Sequence, residues 1–201
     1  MLEQFDCTKE YVLEDDRAIL RPLQQEDKIH LLPFSLNEPY LWKYSLAGAE
    51  GEEGLQNYMN ITFRARAEGK EYPFIVFDKL TNEYAGSTRF YDIQNELETV
   101  QLGYTWYGTK FQGTGLNKHC KYLLLSFAFE RMGFERFELR ADNNNVRSIA
   151  AMKSLGCKVD GILRKNMPTR ETGIRRDSIV LSILRDEWFG GVKENLFMRL
   201  T

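Results

Sequence analysis

The chain has 201 residues, 43% hydrophobic and 28% charged, an ordinary globular composition able to bury one sizeable core. Its formal charge of −2 gives no overall basic field for nucleic acid or anionic lipid, and no apolar run approaches the ~18 residues of a membrane span. The acidic start "MLEQFDCTKEYVLEDD" lacks the basic-then-apolar pattern of a leader, so a cytoplasmic location is expected. The cysteines Cys7, Cys120 and Cys157 are odd in number and widely spaced, which argues against a disulfide framework. With only His30 and His119 beside them, no spacing matches a zinc site, and no metal is expected.

In chain order, "RAILRPLQ" (17–24) reads as a strand stopped by Pro22, and the next stretch as short helices broken by Pro33 and Pro39. "EEGLQNYMNITFRARAEG" places Leu55, Tyr58, Met59, Thr62 and Phe63 at helical spacing, with Gly69 as the stop. "YPFIVFDK" and "AGSTRFYDI" form a hairpin around "TNEY", and "ETVQLGYTWY" is a further strand. A helix follows with Leu116, Cys120, Leu123, Leu124, Phe127 and Ala128 on one face, closed by Gly133. "FERFELRA" is a strand, and "NNVRSIAAMKSLG" a helix with Ile149, Met152 and Leu155 inward. "CKVDGILRK" and "RRDSIVLSIL" close the chain as two strands. The order predicts one mixed α/β (α+β) domain over 1–201, with the strand–helix–strand unit at 111–139 placing two parallel neighbours side by side.

The stretch "FQGTGLN" sets two glycines where a strand turns into a helix. Glycine allows close backbone approach to a ligand, and a helix start offers unpaired N–H groups and partial positive charge, a suitable cradle for phosphate. The P-loop spelling fails because Thr114 stands where lysine is required; the dinucleotide fingerprint fails because Lys118 stands where its third glycine belongs. Taken alone, the pair also fits a tight turn with no ligand.

"FQGTGLN" after "LGYTW", then "LRADNNNVRSIAAMKSLGCKVDGILR" and a closing "RRDSIVLSILRDEW", resemble the GNAT family of acetyl-CoA-dependent N-acetyltransferases, in particular its RimJ/RimL-like branch. The likeness covers roughly 17–188 and rests on the joint order of these segments. It implies a single GNAT domain, with a mixed, twisted sheet of about seven strands flanked by about four helices. It implies that Gln112, Gly113, Thr114, Gly115, Leu116 and Asn117 wrap the CoA pyrophosphate, that the preceding strand splays at Tyr104, Thr105 and Trp106 to take the pantetheine arm, and that Asn145 bonds that arm. The physical use of a bulge agrees, since it frees backbone groups from the ladder.

Acetyl transfer to an amine requires a neutral nucleophile, a polarised thioester carbonyl and a proton for the leaving thiolate. Backbone N–H near Trp106 is the candidate polariser and Ser148 the candidate proton donor. Glu98, or water relaying to bulk, is the candidate base. Relatives that carry Glu before the "LGY"-like segment differ from this chain, which has Gln101, and the tyrosine some members use as an acid falls at Met152. Asn145 and Ser148 equally suit a helix N-cap. Trp42, Tyr44, Tyr104, Trp106 and Tyr107 suit either a core or an acceptor pocket, and "RKNMPTRETGIRR" a solvated hairpin loop. The expected partners are acetyl-CoA and an amine, small molecule or protein N-terminus, with the chain a monomer or homodimer and with neither nucleic acid nor membrane. The alternatives are a non-catalytic acyl-CoA-binding module and a nucleotide-triphosphate binder.

Overall fold

The structure, a computed structural model, describes residues 3–170 and 173–200. Eight strands form one sheet in the order β1-β2-β3-β4-β5-β6-β8-β7. They are β1 (Leu13–Glu14), β2 (Ala18–Pro22), β3 (Glu71–Asp78), β4 (Glu83–Gln94), β5 (Thr99–Tyr107), β6 (Arg136–Asp142), β7 (Lys158–Pro168) and β8 (Arg175–Leu184). All neighbours run antiparallel except β5 and β6. That parallel pair is bridged by α3 (Leu116–Ser126), because parallel neighbours need a crossover long enough to return the chain to the same end of the sheet. The remaining helices are α1 (Lys28–Asn37), α2 (Gly51–Ala67), α4 (Val146–Ser154), α5 (Arg185–Glu187) and α6 (Lys193–Phe197). Among the described residues, no helix is long and apolar enough to cross a membrane.

The sequence pattern accounts for most of this frame. In α2, Leu55, Tyr58, Met59 and Thr62 are buried along one stripe, and in α3 Leu116, Cys120 and Leu124 are buried. Beyond Ser126 the helix widens into a π turn over Phe127–Arg131. The wider turn lets Phe127, Ala128 and Phe129 all reach the interior, with exposures of 4%, 0% and 0%. Phe90 on β4 joins this helix to the sheet: its ring lies 5.9 Å from Phe5, 5.6 Å from Phe74 and 6.1 Å from both Phe127 and Phe137.

Three expectations are corrected. The eighth strand is β1, two residues inside the segment read only as an acidic terminus; it pairs Leu13 with Leu20 and covers the edge of β2. The helix count rises at the C-terminal end, where α5 and α6 pack back and bury Trp188 and Leu196. Most of "RKNMPTRETGIRR" is strand and not loop, since β7 runs to Pro168 and β8 starts at Arg175; Glu171 and Thr172 of that stretch lie outside the described residues.

Phe90→Ala removes the ring on which four aromatic neighbours converge. We expect it to lower unfolding stability by about 3–5 kcal/mol, read as a fall in the urea midpoint.

Candidate active site

The site begins where β5 and β6 part. Their parallel ladder runs from Thr99 opposite Arg136 to Leu102 opposite Leu139 and then ends. β6 continues through Asp142 paired only with β8, while β5 continues to Tyr107 paired only with β4. Backbone groups of 103–107 on the β6 side therefore have no ladder partner. The cause is local. Between Ser87 and Arg89 the β4–β5 register gains one residue on β5, and Tyr104 takes φ +50°, left-handed backbone that non-glycine residues seldom adopt. Ring contacts hold Tyr104 there: the buried Arg89 guanidinium lies 3.8 Å from its ring centroid and Tyr91 meets it edge-on at 5.5 Å. Arg89 in turn ion-pairs with Glu71.

The glycine loop closes the wide end of this gap. Gly113 (φ +80°) and Gly115 (φ +91°) are both left-handed, and a Cβ built on either meets nothing within 4 Å. Gly115 caps α3. The Gln112 amide bonds the Thr109 carbonyl at 3.1 Å, and the Lys118 amide bonds that of Gly115 at 2.8 Å. Among the described residues, the amides of Gly113, Thr114, Gly115 and Asn117 make no hydrogen bond, and the Leu116 amide has only a long 3.5 Å contact to Thr114 Oγ1. Four donors at a helix N-terminus are thus without a hydrogen-bond partner among the described residues. Gln112 braces the loop: its Nε2 donates to the Tyr107 carbonyl at 2.8 Å, and its Oε1 accepts from Arg147 Nη1 at 2.6 Å.

Asn145 caps α4, its Oδ1 accepting from the Ser148 amide at 3.1 Å. That contact satisfies the capping role and leaves the Asn145 Nδ2 and the Ser148 hydroxyl for other partners; both residues are half-buried on the β6 side of the gap.

The residues 17–158 match the family model described as an acetyltransferase (GNAT) domain. This chain belongs to the GNAT acetyltransferase family. It is 24% identical over 179 residues to the uncharacterized N-acetyltransferase p20 of Bacillus licheniformis, covering 89% of this chain and 98% of that one. A GCN5-related N-acetyltransferase from Brucella melitensis superposes with a TM-score of 0.88 at 20% identity, over 98% of this chain and 88% of that one. A ribosomal-protein-S5-alanine acetyltransferase from Vibrio fischeri does so at 0.70 and 18%, over 89% and 98%. The protein is a GNAT N-acetyltransferase with a mixed α/β fold.

Within this GNAT domain the structure separates residues that the sequence grouped. Glu98 lies in the turn before β5, exposed, its carbonyl accepting from the Glu135 and Arg136 amides. Six residues of strand put it roughly 20 Å from Tyr104, so it is not a base for chemistry at the gap. Gln101 is buried and committed to Asp92, with Nε2 2.6 Å from Oδ2. Met152 is buried beneath α4. Register alternation from the Gly108 amide on Ala85 (2.9 Å) directs the Trp106 amide towards β4, so groups beside it in the bulge and at Tyr107 face the gap instead. The Trp106 indole N–H is buried without a partner.

His119 sits near Asp15 and Asp16, the only cluster of metal-ligating side chains among the described residues. Both ring nitrogens are engaged, Nδ1 with Asp15 at 2.8 Å and Nε2 with the Leu200 carbonyl at 2.9 Å. The imidazole thereby ties α3 to both chain ends.

Two site residues escaped sequence reasoning. Arg147, in the first turn of α4, reaches the glycine loop through Gln112 and makes no ion pair among the described residues; its only sequence signal was its place beside Asn145. Lys121 is the other. It lies on α3, 5% exposed, and its Nζ donates to Thr105 Oγ1 in the bulge at 3.0 Å. Thr105 Oγ1 also shares a proton with Thr88 Oγ1 at 2.7 Å. No carboxylate pairs with this ammonium among the described residues. Burial pushes it down to about 8, opposed by the Cys120 and Cys157 thiols.

A lysine lowered by burial binds its proton more readily in the unfolded chain. Its charge costs nothing above about pH 10.4, costs progressively more as pH falls towards 8, and costs a constant amount below that. Lys121→Met is therefore expected to stabilise the protein at pH 7 by on the order of 3 kcal/mol. The gain should shrink to near zero above pH 10.5, measured by urea unfolding across pH.

Proposed function

We propose that this GNAT domain binds acetyl-CoA through the amides of 113–117 and the open edge of β5, and moves its acetyl group to a primary amine held on the α1–α2 side of the gap. The observation that carries the reading is the set of four unpartnered amides at a glycine-opened helix start, at the wide end of a splayed strand pair. The residues suit the group. A Cβ is absent where a diphosphate would approach, Arg147 adds positive charge, and β5 offers unpaired backbone to an extended amide-bearing chain. The Asn145 Nδ2 is free to donate to the same chain. When bound, acetyl-CoA supplies an activated acyl thioester.

The protein's own groups then orient, polarise and shield. Amides of the bulge beside Trp106 face the gap, held in place to stabilise negative charge on a carbonyl oxygen. Ser148 donates a hydrogen bond to the departing sulfur, directly or through water. Water relays the amine's proton to bulk, since Glu98 is remote. Holding two substrates in register contributes several kcal/mol of itself. On the acceptor side, Arg170 near the β7–β8 turn pairs with Glu50 at the start of α2, and Arg176 reaches the Tyr44 carbonyl at 3.4 Å. These contacts join the α1–α2 segment to the hairpin on the side where we place the acceptor. Its acceptors are the α-amino group of a protein N-terminus, as the name of the Vibrio fischeri structure suggests, or a small amine.

A non-catalytic CoA binder is the second reading, favoured by Gln101 and Met152 standing where acid–base groups sit in other members. Free thiol followed during incubation with acetyl-CoA and an amine panel separates the two. We expect acceptor-dependent release, and stabilisation by CoA but not by ATP–Mg. The Gly113→Ala/Gly115→Ala protein should bind CoA at least 10-fold more weakly by calorimetry, because each alanine must hold a left-handed backbone and its methyl fills space a diphosphate would enter. Unchanged affinity would remove the loop from the site.

A further inference from the structure

Resting on the acetyl-transfer reading above, we infer that Lys121 Nζ is the proton donor to the departing CoA sulfur. The argument starts from a side chain with no structural reason to be charged. Lysine is almost never fully buried without a counter-ion. Here the ammonium is 5% exposed, has one hydroxyl partner at 3.0 Å, and has no carboxylate against it. An apolar residue at this position would cost less. A charge held at a cost in stability beside an opened strand is the pattern of a group that acts in chemistry.

The location matches the need. Thr105 belongs to the bulge that frees β5 from β6, so Nζ sits one hydrogen bond from the strand proposed to carry the pantetheine arm. Only one of its three N–H groups is accounted for by that bond. In the transfer step the acceptor nitrogen forms a bond to the acetyl carbon, the carbon–sulfur bond breaks, and its electron pair stays on sulfur. The sulfur takes a proton from Lys121 Nζ, the nitrogen's proton leaves through water, and Lys121 is reprotonated from solvent once product departs. The other acid on this face is the Tyr107 phenol, buried against Cys120, and burial raises it well above its ordinary range, so it gives up a proton less readily than Lys121. Met152 carries no proton to give, and a serine hydroxyl such as Ser148 can hydrogen-bond but is too weak an acid to be the source. The titratable groups facing Lys121 are Cys157, just past α4, and Cys120 on its own helix, with Thr105 and Thr88 from β5 and β4; burial pushes both thiols up to about 12. Burial holds Lys121 at about 8, near the ~8.5 of an ordinary thiol, so the transfer is almost isoenergetic.

The test compares wild type, Lys121→Met and Lys121→Arg, each checked for folding by its melting curve. Thiolate absorbance near the low-ultraviolet band of bound CoA, titrated against pH, reads the ammonium directly. We expect thiolate to appear at least about one pH unit lower in wild type and in the Arg variant than in the Met variant. Steady-state rates should show kcat down about 10²–10³-fold in the Met variant with KM for acetyl-CoA within threefold. The wild-type fall in kcat above about pH 8 should be absent from it. The Arg variant, which keeps the charge but holds its proton, should stay slow. An acetyl thioester of a more acidic thiol should recover most of the lost rate. A Met variant with wild-type kcat, or an unmoved thiolate titration, overturns the assignment of Lys121 alone. A wild-type protein that neither binds CoA nor releases thiol overturns the acetyl-transfer reading together with it.

Discussion

A single break in a ladder organises this molecule. β5 and β6 are parallel neighbours for four residues and then cannot continue, because an extra residue in β5 and left-handed Tyr104 turn its outer edge away from the partner. A sheet interior normally satisfies every backbone group. Leaving one strand edge open at the centre of an eight-stranded sheet is tolerable only if something else completes it, and an extended ligand rich in amides is such a thing. The crossover that makes the strands parallel also brings the start of α3 to the mouth of the break, so the unpartnered loop amides and the open edge arise from the same connection.

The two faces of β5 are electrostatically unlike. On the α2 face Arg89 is neutralised by Glu71 and stacked on Tyr104 and Tyr58, an arrangement that fixes the bulge. On the α3 face Lys121 carries an unneutralised charge against Thr105. The first cation supports a shape, and replacing it would release Tyr104. The second strains the fold that contains it, and its value lies in the charge and proton it holds beside the gap.

Much of this was legible before any coordinates. Gly113 and Gly115 announced a backbone needing positive φ at a strand-to-helix junction, and the order of strands around α3 required a parallel pair. What failed was whatever depended on direction within an element. Glu98 looked close to Gln101 because both precede "LGY", yet strand geometry carries the chain away from the break at about 3.3 Å per residue. The polarising N–H was expected near Trp106, and the fold narrows this to neighbouring amides, since that of Trp106 itself faces β4. Lys121 was missed because the apolar stripe of α3 was read through Leu116, Cys120 and Leu124, and a lysine beside that stripe ordinarily reaches solvent. The Nζ of Lys121 turns instead to Thr105 in the bulge, and single-helix periodicity holds no record of what a neighbouring strand offers. β1 was too short for any pattern to reveal.

The central claim is that the main-chain amides of Gly113, Thr114, Gly115 and Asn117 receive a diphosphate. Backbone amide NMR during titration with CoA reads those four groups individually. The account predicts that their proton resonances move downfield together and saturate at one equivalent, while the already engaged Gln112 amide moves far less. Saturating CoA that leaves all four unmoved would contradict it.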